Sequence, residues 1–225
     1  MNLAGKRILV VGASGVLGAN LVNQLIQRGA SVVGTASNPD ALDRIPAGCE
    51  TKLVANLLDG ASLEAAVTQL TSGPAIDGVV LAAGRVGFGS AEQTSASDAA
   101  ALMHINYLAQ AWIVTALLPK LRQQPEFLVA AITGVVAEKI FPGMAAYSAS
   151  KAAMSSWIQS LRLELRRQGG LVVEARPRHT ETGLATRPLF GAAPAMPTGM
   201  DPAAVIARVL AAVESGEATL SAGDF

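Results

Sequence analysis

Short runs of apolar residues recur along the chain, each followed by a longer stretch in which apolar positions return every three or four residues. The first run, "RILVVG" (7–12), is continuously apolar rather than alternating, the pattern of a strand buried on both faces. In "GVLGANLVNQLIQRG", Leu17, Leu21, Val22, Leu25 and Ile26 form one helical face, and Gly29 ends it. The same reading predicts strands at "SVVGTA" (31–36), "TKLVANL" (51–57), "DGVVLAAG" (77–84), "EFLVAAIT" (126–133) and "LVVEARP" (171–177). Between them it predicts a short helix at "NPDALDRI" and a helix over 59–73 with Ser62 as a candidate cap. Helices from Ser97 to Leu121, from Tyr147 to Gln168 and over 201–216 complete the pattern.

Strands separated by helices imply right-handed crossovers and a parallel sheet covered on both faces, a Rossmann-type doubly wound α/β/α architecture. At 225 residues, with no repeat or linker, a single domain over 1–225 is expected. One segment breaks the pattern. "TGLATRPLFGAAPAMPTGM" (182–200) is rich in Pro, Gly and Ala without periodicity, as a substrate lid loop would be. Its Leu184, Leu189, Phe190 and Met196 point to a small-molecule substrate that is partly apolar.

Composition changes the picture in a few places. Half the residues are hydrophobic (51%), but aromatics make up only 4%, a mix suited to helices packed closely on a sheet. Acids and bases balance at 17 each, so no broad field favours nucleic acid or an anionic membrane. The start of the chain lacks a basic, apolar leader, and no uninterrupted apolar run reaches the ~18 residues of a membrane span. A cytoplasmic protein is the expectation. Cys49 reads as an inert loop thiol, His104 as structural, and two separated histidines with one cysteine make no metal site. "RLELRR" (162–167) reads as the solvated end of a helix.

Two motifs carry candidate chemistry. Gly12, Gly15 and Gly18 join the first strand to the first helix, where glycine permits a tight turn and lets backbone amides approach a pyrophosphate. At the end of the second strand, "VVGTASN" has no carboxylate to exclude the 2′-phosphate of NADP. Thr35, Ser37 and Asn38 offer it hydrogen bonds, so NADP is expected over NAD. In the second motif, Tyr147 and Lys151 are four residues apart on one helical face. A Lys⁺ near a phenol is expected to lower its pKa, readying the tyrosine for proton exchange with a carbonyl or alcohol.

With both motifs in place, the chain resembles the short-chain dehydrogenase/reductase family over nearly its whole length. The matching segments are Gly12-x-x-Gly15-x-x-Gly18, "LAAG" (81–84), Asn106, "YSASK" (147–151) and "RPRHTET" (176–182). The resemblance implies catalytic roles for Tyr147 as acid/base, Lys151 as its partner and ribose ligand, and Asn106 as support for a proton-relay water. It places the dinucleotide against Gly12, Ser14, Gly15, Val16, Leu17 and Gly18 at the first turn, and against Ser37, Asn56 and Leu57 near the adenine. Ala82, Ala83 and Gly84, then Tyr147 and Lys151, then Pro177, Arg178 and Thr180 follow toward the nicotinamide. It also implies homodimers or homotetramers built on the two long helices.

The departures from the family bear on activity. Val11 replaces a Thr, the middle glycine comes one residue early as in the extended branch, and Pro177-Arg178 replaces Pro-Gly. Thirteen residues before Tyr147, where the family has a serine, stands Gly134. Thr133 is the neighbouring hydroxyl and reaches the site only if the strand ends or bulges there. His179 is a second candidate donor. The expected activity is NAD(P)-dependent interconversion of a carbonyl and an alcohol, slowed by the missing hydroxyl. Gly134→Ser is expected to speed it unless the backbone there needs a positive φ. The alternatives are a cofactor-binding protein with weak or no catalysis, and a lyase or epimerase.

Overall fold

The computed structural model describes all 225 residues. Seven parallel strands lie in the order β3-β2-β1-β4-β5-β6-β7: Arg7–Val11 (β1), Ser31–Ala36 (β2), Thr51–Val54 (β3), Gly78–Leu81 (β4), Phe127–Ile132 (β5), Gly170–Ala175 (β6) and Thr219–Leu220 (β7). The continuous apolar runs divide by pleat. Leu9, Val11, Val79, Leu81 and Val129 pack on one side, and Ile8, Val10, Val80, Leu128 and Ala130 on the other. Each run therefore feeds two core layers at once, as a doubly wound sheet requires.

The first layer is covered by α2 (Gly60–Ser72), α4 (Ala109–Leu121) and α5 (Ala145–Leu165). The second is covered by α1 (Val16–Gln27) and α6 (Pro202–Ser215). Between α3 (Ala96–Met103) and α4 the long helix passes through a π turn at His104–Leu108 without breaking. This helix, Ala96–Leu121, is long and apolar enough to cross a membrane by length and composition, although no uninterrupted apolar run in the sequence reaches the ~18 residues of a span. Here Ile105, Ala109, Ile113, Val114, Leu117 and Leu121 bury its apolar face against the sheet.

Several local expectations are corrected. Asp59, not Ser62, caps α2, its carboxylate accepting from the amides of Ala61 and Ser62. The Ser62 hydroxyl instead accepts the Asn56 amide at 3.0 Å. Residues Pro39–Arg44 form a 3₁₀ turn. A seventh strand, absent from the strands that the sequence pattern predicts, pairs with β6 and is tied down by Arg162, which donates to Val172 O and Thr219 Oγ1 at 3.0 and 2.9 Å. "RLELRR" is thus not wholly a solvated end.

Candidate active site

The strand order reverses between β1 and β4, which opens a crevice beyond their carboxyl ends. A cleft of about 1010 Å³ lies there, bounded by the ends of β1, β2, β4, β5 and β6, by α5, and by the loop over 182–200. The glycine turn forms one end. Gly12 has φ +87°, and a Cβ on it would meet Ala83 at 2.8 Å; one on Gly18 would meet Gly12 O at 2.1 Å. Both positions need glycine for close approach. The turn is anchored from β2, where Thr35 Oγ1 accepts the Gly12 amide at 3.1 Å and Thr35 O accepts from Ala13 at 2.9 Å. Thr35, read as a phosphate ligand, is thus part of the turn's support. Asn38 likewise caps the 3₁₀ turn by accepting from Ala41, which leaves Ser37 facing the cleft.

No side chain caps α1, so the amides of its first turn lack side-chain partners where Ser14, Gly15, Val16 and Leu17 line the cleft. That geometry fits a pyrophosphate. Asn56 and Leu57, Ala82, Ala83 and Gly84, and Pro177, Arg178 and Thr180 also line it. Among the glycine-turn residues Gly18 does not; it packs beneath the turn.

At the other end, Tyr147 and Lys151 project from α5 into the cleft, both buried. Lys151 Nζ donates to Ile132 O at 3.1 Å. A side chain at Gly84 would press within 3.4 Å of that ammonium, so the glycine keeps the approach open. Burial pushes the Tyr147 phenol up to about 12 and the Lys151 ammonium down to about 8. The expected lowering of the phenol by Lys151 is therefore corrected. Loss of solvent disfavours charge on both groups, and the tyrosine is held protonated.

Asn106 is completely buried in the π turn and does not line the cleft. Its Oδ1 accepts the Arg85 amide at 3.0 Å, and its Nδ2 donates to Arg85 O and Ser150 Oγ, each at 2.9 Å. Both donors are thus committed to pinning the segment after β4 onto α5. Its side chain is a positioning group here, not a ligand of a relay water. Gln110 was not legible as part of this arrangement. Its Nε2 donates to Ala83 O at 3.2 Å and to Ile105 O at 2.8 Å, a carbonyl in the π turn.

β5 does end in a bulge. The amides of Thr133 and Gly134 both reach Ala175 O, at 2.9 and 3.3 Å, and Gly134 adopts φ 87° and ψ 162°. Thr133 nevertheless turns its hydroxyl to the sheet neighbour and donates to Glu174 Oε1 at 2.8 Å. Thr133 lines the cleft, but with its one hydroxyl proton committed to Glu174 it is not free to act as the replacement donor. Glu174, fully buried mid-strand, is also paired with Arg176 Nη2 at 2.7 Å, and Arg176 Nη1 reaches Glu138 at 3.0 Å. This network was missed, although an acid inside "LVVEA" is a readable signal, since a core carboxylate requires partners. His179 sits 3.5 Å from Glu181 at the cleft's edge.

The loop over 182–200 is held at its ends by Glu181 and Met200 backbone bonds and in the middle by Leu189 N to Val86 O at 2.7 Å. Leu184, Leu189 and Phe190 pack on Val86, Phe88, Leu102, Val136 and Tyr147. The Phe190 ring lies where a Cβ of Gly87 would be, at 2.2 Å.

Comparison with known proteins agrees with this geometry. The short chain dehydrogenase family model matches residues 6–188. A dehydrogenase/reductase SDR family protein 7-like of Anopheles gambiae is 30% identical over 202 residues, 84% of this chain, and the chain spans only 64% of that relative's length. A cyclic-di-GMP-binding biofilm dispersal mediator protein of Escherichia coli is 33% identical over 190 residues, covering 82% of this chain and 78% of the relative. The solved structure of a short-chain dehydrogenase from Sphingobium yanoikuyae in complex with NADPH superposes with a TM-score of 0.88 at 26% identity, over 96% of this chain and 87% of that one. A glycine turn at the switch point, Tyr147 and Lys151 on α5, and a family match over most of the length agree: the chain belongs to the short chain dehydrogenase family.

Proposed function

We propose that the protein is an NAD(P)-dependent oxidoreductase that interconverts a carbonyl and an alcohol. The observation that carries this is one cleft holding the glycine turn at one end and Tyr147 with Lys151 at the other. The bound dinucleotide supplies or accepts the hydride. The first-turn amides of α1 would hold its pyrophosphate, and Lys151 would bind its ribose hydroxyls. Tyr147, protonated through burial, gives its proton to the carbonyl oxygen as that oxygen gains negative charge. The 182–200 loop acts as the lid, closing the apolar wall of Val86, Phe88 and Leu184 over the substrate and excluding water.

NADPH is the preferred dinucleotide in this reading. Ala36 and Ser37 stand at the end of β2 with no carboxylate in the cleft wall, and the Sphingobium relative was solved with NADPH. Calorimetric titration should show NADPH binding at least as tightly as NADH, and carbonyl-dependent NADPH consumption should follow. A clear NADH preference would overturn the assignment of the dinucleotide; bound NADPH that no carbonyl oxidises would overturn the reductase.

That second outcome favours another reading, a dinucleotide-responsive binding protein. Its specific support is that neither position expected to supply a second hydroxyl beside Tyr147 does so: position 134 is glycine, and the Thr133 hydroxyl donates to Glu174. The name of the Escherichia coli relative, which refers to nucleotide binding rather than reduction, points the same way. In either reading the protein assembles as a homodimer or homotetramer through its long helices, where Leu108, Trp112 and Leu163 are exposed. Light scattering should give a mass of two or four chains, and a monomer at micromolar concentration would exclude this.

A further inference from the structure

The chain is neutral overall, with 17 acids and 17 bases, yet the cleft wall is not. Among its 43 residues no Asp or Glu occurs, whereas Arg85, Lys139, Lys151, Arg178 and Arg187 all line it. Nearby acids are held elsewhere. Glu174 and Glu138 are paired with Arg176, and Glu181 accepts from the Gly199 amide. Every ion pair in the molecule leaves these five cations out. Arg85 and Arg187 donate only to backbone carbonyls, of Arg187 and Pro188 and of Gly183 and Thr182 respectively, which leaves their charge uncompensated.

The cations are also placed unevenly. The glycine turn and the β2 and β3 ends contribute none to the cleft, so they leave the dinucleotide's phosphate end to backbone amides and neutral side chains. Arg85 follows β4, Lys139 follows the bulge after β5, and Arg187 lies on the lid. They share the substrate half with Val86, Phe88, Val136 and Leu184. A cleft lined by one sign of charge between apolar walls focuses its field on an incoming counter-ion.

We propose that the substrate is an anionic carbonyl compound. Its carboxylate or phosphate group is met by Lys139, Arg187 and Arg85, and its apolar body by the Val86, Phe88 and Leu184 wall. This rests on the reductase reading for the carbonyl, but the anion preference can be read from binding alone. The protein saturated with NADP⁺ is titrated calorimetrically with para-acetylbenzoate, para-acetylphenyl phosphate and methyl para-acetylbenzoate, and with levulinate against methyl levulinate. At least one anion should bind about tenfold or more tightly than its neutral counterpart, as charge-assisted hydrogen bonds require. The better of carboxylate and phosphate identifies the group. Added salt and the double variant Lys139→Gln/Arg187→Gln should both collapse the anion-to-ester ratio toward one. Both residues are exposed, and an unchanged circular dichroism spectrum checks that the variant folds.

Esters that bind as well as the anions, a ratio that survives the double variant, or no anion binding at all would each overturn the proposal. NADPH oxidation with the same compounds is scored separately. Turnover of esters and anions alike keeps the reductase and rejects the anion site. Tight, charge-dependent anion binding without NADPH oxidation keeps the site and rejects the reductase.

Discussion

Tyr147→Phe should lower carbonyl reduction by about 10²–10⁴-fold, the range for loss of a positioned general acid, while dinucleotide affinity stays within a few-fold. The phenyl ring remains packed with Val86, Phe88, Leu102 and Val136, so the wall of the cleft is preserved and only the hydroxyl is lost. Measuring kcat together with the calorimetric Kd for NADPH separates the two effects, and full activity in the variant would reject Tyr147 as the acid. The pH profile of the parent enzyme adds a second check. Burial keeps the phenol protonated to about 12, so the acid itself persists through the alkaline range. Lys151, lowered to about 8 by the same burial, carries its charge only below that pH. Reductive kcat/KM should therefore fall as pH rises through about 8, through loss of the ammonium, and Tyr147 should impose no limb at lower pH.

Gly134→Ser is the second test, and the structure reverses the expectation that restoring a hydroxyl would speed the enzyme. At φ 87° and ψ 162° the residue occupies backbone space that is essentially confined to glycine. The cost is torsional, because an added Cβ would find Pro177 O no nearer than 3.7 Å. The turn is also held from both sides, by the shared Ala175 carbonyl and by Val135 N donating to Pro177 O at 2.9 Å, so it cannot relax freely. The serine should cost about 1–3 kcal/mol of stability, a fall in Tm of about 2–12 °C for a chain of this size, with no gain in kcat. Thr133→Ala is the companion. It leaves the buried Glu174 carboxylate short of a donor, so it should cost about 1–3 kcal/mol of stability but little in kcat. A serine variant as stable as the parent and faster would show that the turn accepts an L-residue. The missing hydroxyl would then be the true limit on rate.

What was legible from the chain alone is what depends on near neighbours. Continuous apolar runs specified strands buried on both faces, and three- and four-residue spacing specified the helices that cover them. The glycine triplet and the Tyr147–Lys151 spacing are likewise local; Gly12, Gly15, Tyr147 and Lys151 reached the cleft, while Gly18 packs beneath the turn. Tertiary structure decided the rest, because it depends on groups far apart in sequence. Thr133 chose between two directions only when Glu174, 41 residues away, took its hydroxyl. Asn106 became a clamp because Ser150 and Arg85 met it across the π turn. The sign of Tyr147's pKa shift followed from burial, which no spacing of charges along one helix encodes. The cationic cleft in a neutral chain has the same origin: the fold gathers Arg85, Lys139, Arg178 and Arg187 from four segments, and their charges add only once those segments line one cleft.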